Sequence, residues 1–363
     1  MQLAIFGAQG YALGVYEALK SLYPKRVIPC FIVSEIGNNA SILGGVPVRE
    51  IALVSDEMTQ EEKQSLEMII ATPENVQPEI EEILENYGFR HYSRLDSERW
   101  GELMKLFHIK LDRFLPLSAL PVGYNTPFIR IYMAKSHKDR PLRNVPVLPD
   151  YIYPVQVGAA NTDIKIADYA DNRGDSISEK NVNYSELTGL YWMWKNKLCA
   201  NGIQEGDKGQ YYGLAQYRRM LVFSDDDLLR LKSNDVDVVL PYPLPYEPNI
   251  HAHHERYLKD SDWNALLEAL RELQPEYADA FENVLNQRYL YNYNVILAKK
   301  SVLREYCEWL FPILQRVEEL SEPKGCDRAD RYIGYMGETL ETLYFMKNAD
   351  RLNIVHTLCK LFY

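Results

Sequence analysis

A two-part α/β protein is predicted by three observations. The chain opens with a short apolar run, a glycine turn and a helical pattern; apolar runs of strand length alternate with amphipathic segments to its end; and its 363 residues exceed what one hydrophobic core organises. With 47% hydrophobic and 25% charged residues the composition is that of a folded protein without long disorder.

The elements follow in order. Residues 2–6 read as a buried strand, and Gly7, Gly10 and Gly14 open a helix that runs to about Leu22. Strand, glycine turn and helix form the first half of a dinucleotide-type βαβ unit, in which helix N-terminal N–H groups receive a diphosphate. A second strand, 27–33, closes with Ser34 and Glu35, where such domains place a ribose-binding carboxylate. This makes Gly7, Gly10, Gly14 and Glu35 the candidate nucleotide-binding set of a Rossmann-like part spanning 1–90. The spacing departs from Gly-x-Gly-x-x-Gly, which argues against NAD, and the glycines serve equally for a tight turn and close helix packing. A turn and an extended piece over 43–48, a strand at 68–72 and an acidic helix at 77–87 ending before Gly88 complete this part.

Residues 91–127, with Pro116, Pro121 and Pro127, lose the alternation and are expected to connect the two parts. The second part, 128–363, restarts with a strand at 128–134 followed by Lys135-Ser-His-Lys138. A polar stretch from Asp171 leads into a helix at 185–197, with Leu187, Leu190, Tyr191 and Trp194 on one face. Strands follow at 211–215, 236–240 and 294–298, and helices at 263–273, 277–287, 302–320 and about 337–346. No internal repeat or low-complexity tract is present.

Charge and cysteine usage narrow the function. The net charge of −11 argues against a nucleic-acid partner, whose phosphates need Lys and Arg. Five cysteines form no Cys-x-x-Cys pair and suggest neither disulfide framework nor zinc site. The start lacks a leader pattern and no run reaches the roughly 18 apolar residues of a membrane span, so a cytoplasmic protein is expected, at most peripheral at the inner face of the cell membrane. The 27 tyrosines supply flat faces with hydroxyl donors, suited to sugars and nucleobases.

Several motifs could carry chemistry. Tyr217, Arg218 and Arg219 end the 211–215 strand, where α/β sheets bind ligands, and paired guanidiniums suit a phosphate or carboxylate. Glu338 follows a turn with two glycines at the start of the last helix and is a candidate general base, with Glu341 one turn on expected on a solvated face. His251, His253 and His254 follow a proline-rich segment and read as a polar loop rather than a metal centre. Asp225-Asp-Asp227 resembles a metal–diphosphate Asp-x-Asp, but Ser224 before it makes the segment an N-cap with acids in the first helical turn.

Lys135-Ser-His-Lys138, Tyr153-Pro-Val-Gln-Val-Gly-Ala159, Asp171-Asn-Arg-Gly-Asp-Ser-Ile-Ser-Glu-Lys-Asn181, Tyr184-Ser-Glu-Leu-Thr-Gly-Leu-Tyr-Trp192, Gly213-Leu-Ala-Gln-Tyr-Arg-Arg219 and Gly334-Tyr-Met-Gly-Glu338 together resemble the bacterial capsular polysaccharide glycosyltransferases once filed as a domain of unknown function. The resemblance spans about 128–363. It implies a GT-A-like domain, a UDP-sugar donor carrying a hexosyl unit such as galactose or galactofuranose, and a glycan or lipid-linked glycan acceptor. On it, Arg218, Arg219 and Glu338 are the expected catalytic residues, and Lys135, His137, Asn172, Asp175, Ser178, Asn181 and Tyr217 the substrate-binding ones. Gln216 stands where the family often has His. No metal ligands are assigned, and a divalent ion, Mn or Mg, is left open at the diphosphate. Phe6-Gly-Ala-Gln-Gly10 and Gly44-Gly-Val-Pro-Val48 resemble, over a short stretch, the nucleotide-sugar-binding domains that precede bacterial sugar acetyltransferases. The alternatives are a non-catalytic nucleotide-sugar-binding assembly or regulatory protein and an NAD-dependent sugar-modifying enzyme.

Overall fold

The computed structural model describes residues 3–143, 145–199 and 209–363, so Gln2 of the expected first strand lies outside it. The molecule is α/β, as the sequence predicts, and is built on two main sheets.

The first sheet has the order β3-β4-β2-β1-β5-β6. β1 (Leu3–Phe6) leads into α1 (Gly10–Leu22), and β2 (Phe31–Val33), β3 (Ile42–Leu43) and β4 (Val46–Glu50) follow. α2 (Ile51–Glu57) and α3 (Gln60–Ser65) then precede β5 (Glu67–Ile70), α4 (Gln77–Asn86), β6 (Tyr92–Arg94) and α5 (Ser97–Leu111). All pairings are parallel except the β3–β4 hairpin. Period-two alternation divides the core: Leu3 and Ile5 pack under α1 and α5, while Ala4 and Phe6 pack under α2 and α4. The stretch expected as a connection thus supplies the edge strand β6 and a helix laid on α1; its apolar positions Trp100, Met104 and Phe107 are buried there.

The second sheet is mixed, in the order β16-β12-β15-β10-β7-β8-β9, with β11 and β17 attached beyond β10. Its chain order runs β7 (Phe128–Lys135), β8 (Ile152–Gln156), β9 (Tyr169–Ala170), α6 (Asn181–Tyr184), α7 (Leu187–Met193), β10 (Gln210–Gln216), β11 (Arg219–Leu221), α8 (Asp225–Ser233), β12 (Val238–Pro241) and β13 (Leu244–Pro245). It continues through α9 (Ile250–His254), α10 (Asp260–Leu273), α11 (Pro275–Asn286), β14 (Tyr289–Leu290), β15 (Ile296–Lys299), α12 (Lys300–Leu320), α13 (Tyr332–Lys347), β16 (Ile354–Thr357) and β17 (Cys359–Leu361). β10, β7, β8 and β9 run parallel, so the loops after β7, β8 and β10 gather on one edge. Ile129, Ile131 and Met133 face one core, and Tyr132 and Ala134 face the helical core of α7 and α10 to α13.

Two expectations about the C-terminal region are corrected. The last helix begins at Tyr332, not near 337, so Gly334 and Gly337 lie inside it. They are there for close approach: a Cβ on Gly337 would come 2.7 Å from a Leu187 methyl, and one on Gly334 3.4 Å from the Ser185 hydroxyl. Glu341 is buried at 1% exposure rather than solvated, because this helix is enclosed on nearly all sides.

The two parts are tied together. Arg288 bridges Glu17 of α1 (2.7 Å) and Glu247 (2.9 Å), and Glu247 accepts the Gly44 N–H at 2.8 Å. Tyr289 donates to Glu17 at 3.0 Å and accepts from Arg113 at 2.6 Å. No helix among the described residues is long and apolar enough to cross a membrane.

Candidate active site

The edge onto which the parallel strands of the second sheet run carries two adjoining cavities. One, of about 570 Å³, is walled by the loop after β7 (Ser136, His137, Lys138, Asp139, Arg140) together with Asn181 and Tyr217. The other, of about 350 Å³, is walled by Arg219, Tyr246, His253, Tyr257, Asn292, Tyr293, Tyr335 and Glu338. Ser185, Glu186, Gln216, Arg218 and Arg331 border both, so the two are halves of one cleft.

The cationic half collects Lys138, Arg140, Arg218 and Arg331, with Asp139 among them. Burial raises the Asp139 carboxyl, while a hydrogen bond from the Ser136 N–H (2.7 Å) and the charges of Lys135, Arg218 and Arg331 pull it down. The Nδ1 atom of His137 is buried, with no hydrogen-bond partner among the described residues.

The second half is governed by carboxylates. Glu338 sits in the second turn of α13, and burial together with the charge of Glu186 pushes its pKa up to about 8. A hydrogen bond from the Tyr293 main chain, the Arg219 charge and the Asn292 side chain oppose the rise. Burial also raises Glu186, which accepts from the Asn294 amide at 2.8 Å and feels Arg331 and Gln216. Tyr293 and Asn294 are the structural centre of this arrangement. Both hold positive φ, 80° and 51°, a strained conformation for a tyrosine. In return, Asn294 also donates to the Gly334 carbonyl at 3.2 Å, the Tyr293 carbonyl accepts from Gln216 at 2.7 Å, and the Tyr293 ring lies 3.9 Å beneath the Arg219 guanidinium. Burial raises the Tyr11 hydroxyl, and Tyr293 raises it further while Arg219 lowers it, so α1 of the first part reaches the same spot.

The sequence-derived candidates divide clearly. Arg218 in the β10–β11 turn, Arg219 at the start of β11 and Glu338 of α13 line one cavity, and Tyr217, His137 and Asn181 line the half beside it. Lys135, at the end of β7, acts on Asp139 without lining either half. The polar stretch from Asp171 is mainly scaffolding. Asp171, fully buried, accepts from the N–H groups of Gly158 (2.9 Å) and Ala159 (3.1 Å), from Thr188 (2.7 Å) and from Ser178, so Ser178 is consumed inside the fold. Asn172 and Asp175 are exposed outside both halves, with Asp175 bonded to Tyr191 at 3.0 Å.

In the first part, Gly7 makes the expected tight turn at φ 125°, but Gly10 and Gly14 face the second part: Cβ atoms there would come 3.1 Å from the Pro245 carbonyl and 3.5 Å from its ring. Their smallness therefore serves the junction of the two parts. Glu35 is exposed after β2. The expected histidine loop is the helix α9, which buries His254 and turns His253 into the cleft; burial lowers them to about 3 and about 4, so both are neutral at pH 7.

The Asp225–Asp227 motif is engaged in capping a helix. Asp225 to Asp227 open α8 in a capping box, with Asp227 accepting from the Ser224 N–H at 3.0 Å and hydroxyl at 2.8 Å. Among the described residues no group of three or more His, Cys, Asp or Glu is arranged to hold a metal.

Sequence reasoning missed Glu186, Arg331, Tyr293 and Asn294. The signal for the last two was Asn292-Tyr-Asn294 directly before an apolar strand, since Asn tolerates left-handed backbone. Glu186 and Arg331 carried none, because their place depends on the packing of α13 against α6 and α7.

No curated protein matches the chain. A solved structure described as the WbbM bifunctional glycosyltransferase, apo form, is similar with a TM-score of 0.54 and 26% identity, over 64% of this chain and 45% of that one. The chain thus spans less than half of that protein. Residues 130–349 match the family model described as a domain of unknown function, DUF4422; the match covers more than half of the chain and includes every wall of the cleft, and the chain belongs to that family.

Proposed function

We propose that the chain is a glycosyltransferase that moves a hexosyl unit, galactose or galactofuranose among the candidates, from a UDP-sugar to a hydroxyl of a growing cell-surface glycan. The observation that carries this reading is the convergence of Arg218, Arg219 and Glu338 on one cavity that opens past Glu186 into a cationic one. The cationic half suits the diphosphate of the donor, and the half containing Glu338 suits the acceptor. The similarity to a bifunctional glycosyltransferase supports the reaction type.

In the step, the acceptor oxygen forms a bond to the anomeric carbon while the bond from that carbon to the diphosphate oxygen breaks. The electron pair leaves on the nucleoside diphosphate, beside Arg218 and Arg331, and the hydroxyl proton passes to Glu338 in its ionised form. The guanidiniums are worth most in this partly desolvated setting, where removing one fixed donor typically costs about 2.7–4 kcal/mol of barrier. A glycan or lipid-linked glycan would be met in the cytoplasm or at the inner membrane face.

The test is donor hydrolysis and transfer with a panel of UDP-sugars. Arg218→Ala and Glu338→Gln are expected to lose most activity; retention of full activity in both would refute these roles.

A further inference from the structure

The acceptor half contains more than proton transfer requires. Tyr257 and Tyr335 stack at 4.5 Å with an 18° interplanar angle, and Tyr246 and His253 at 3.6 Å and 24°. All four rings wall the 350 Å³ cavity, and Tyr257 is 43% exposed. Parallel rings locked in pairs offer a rigid apolar face edged with hydroxyls, which matches the C–H face and hydroxyl rim of a sugar ring. Arg218 and Arg331 lie in the part shared with the donor half, and Arg219 is stacked on Tyr293.

The first part of the chain meets this wall beside Tyr246 and Tyr257. Arg256, next to Tyr257, donates to the Asn38 carbonyl at 3.0 Å and lies 3.4 Å from the Gln9 side-chain oxygen, and Gln9 in turn bonds Asn39. A Cβ on Gly10 would come 3.2 Å from the Tyr246 ring. Gln9 and Asn38 are exposed, as is Arg256 between them and Tyr257, so amides and one guanidinium continue the surface beyond the rings. These residues precede the segment that matches the family.

We infer, resting on the transfer reading above, that the two parts jointly form an acceptor site for a glycan of at least two sugars: the reacting sugar lies on the Tyr257–Tyr335 wall and the next on Gln9 and Asn38. The acceptor is thereby selected partly by residues outside the family domain.

The test measures transfer to mono-, di- and trisaccharide acceptors at saturating donor. Tyr257→Ala is expected to raise acceptor KM roughly ten-fold while donor KM moves less than three-fold, and Tyr257→Phe to restore it. The Gln9→Ala/Asn38→Ala double variant is expected to raise KM roughly five-fold for di- and trisaccharides only. An acceptor KM unmoved by Tyr257→Ala, or an equal effect of the double variant on every acceptor length, would overturn the inference alone. Absence of both hydrolysis and transfer in the unaltered protein would overturn the transfer reading and this inference with it.

Discussion

Glu338→Gln removes the proposed base while keeping its shape and one hydrogen-bonding oxygen. With a pKa of about 8, the carboxyl is about one tenth ionised at pH 7, half at pH 8 and about nine tenths at pH 9. The unaltered protein should therefore gain about ten-fold in kcat/KM from pH 7 to its plateau. A positioned base contributes roughly 10²–10⁴-fold, so the variant should fall by that factor at pH 9 and by about ten-fold less at pH 7. Stability should move the other way. Because burial raises the native pKa above the unfolded value near 4.5, the native state holds the extra proton. That contribution is fully present below pH 4.5 and is lost as pH rises through about 8. Gln cannot ionise, so the variant should melt higher than the unaltered protein at pH 9. The assay is release of nucleoside diphosphate across a pH series at constant ionic strength, paired with thermal melts. Identical pH profiles for the two proteins, or an activity limb centred below pH 6, would refute the assignment.

Three other perturbations follow from the same structure. Glu341, at 1% exposure with Oε2 unpaired among the described residues, is pushed well above the usual carboxylate range by burial and by Glu338 and Glu186; Glu341→Gln should flatten the loss of melting temperature with rising pH above 4.5. Asp262 pairs with Arg328 through two contacts of 2.5 and 3.1 Å, both side chains nearly fully buried, and the Asn183 amide donates to the Arg328 carbonyl at 2.8 Å, fixing the segment that delivers Arg331 to the cleft. Asp262→Ala should cost about 3–5 kcal/mol in denaturant titration and raise donor KM. Gly10→Val, which forces a side chain against Pro245 and Tyr246, should destabilise by about 1–3 kcal/mol while leaving UDP affinity in calorimetry within two-fold, because the glycine serves the junction between the parts.

The fold was legible wherever a period was clean. The opening strand, glycine turn and helix, the β7 and β10 runs and the long α12 all follow alternation or helical spacing that survives into the structure. What escaped depends on contacts between distant segments. α5 lies in the stretch read as a connection, ahead of Pro116, Pro121 and Pro127, yet docks on α1, and β16 joins the sheet by pairing with β12, more than a hundred residues earlier. At the site, Tyr217-Arg218-Arg219 could be placed because strand ends collect ligands, and Glu338 because it sits in a glycine-spaced segment. The reason for those glycines was different: they seat a helix against Leu187 and Ser185 instead of starting one. The polar density after Asp171 was the most conspicuous sequence feature, yet its central carboxylate is spent on main-chain N–H groups and hydroxyls. Hydrogen-bonding capacity in a sequence does not reveal whether ligand or backbone consumes it.

The most direct measurement of the central claim is a structure of the protein soaked with UDP. The diphosphate is expected between Arg218 and Arg331, with the uridine in the cationic half lined by His137 and Asn181. Nucleotide bound instead at the Gly7–Gly10 turn, with the Arg218 side untouched, would contradict the account.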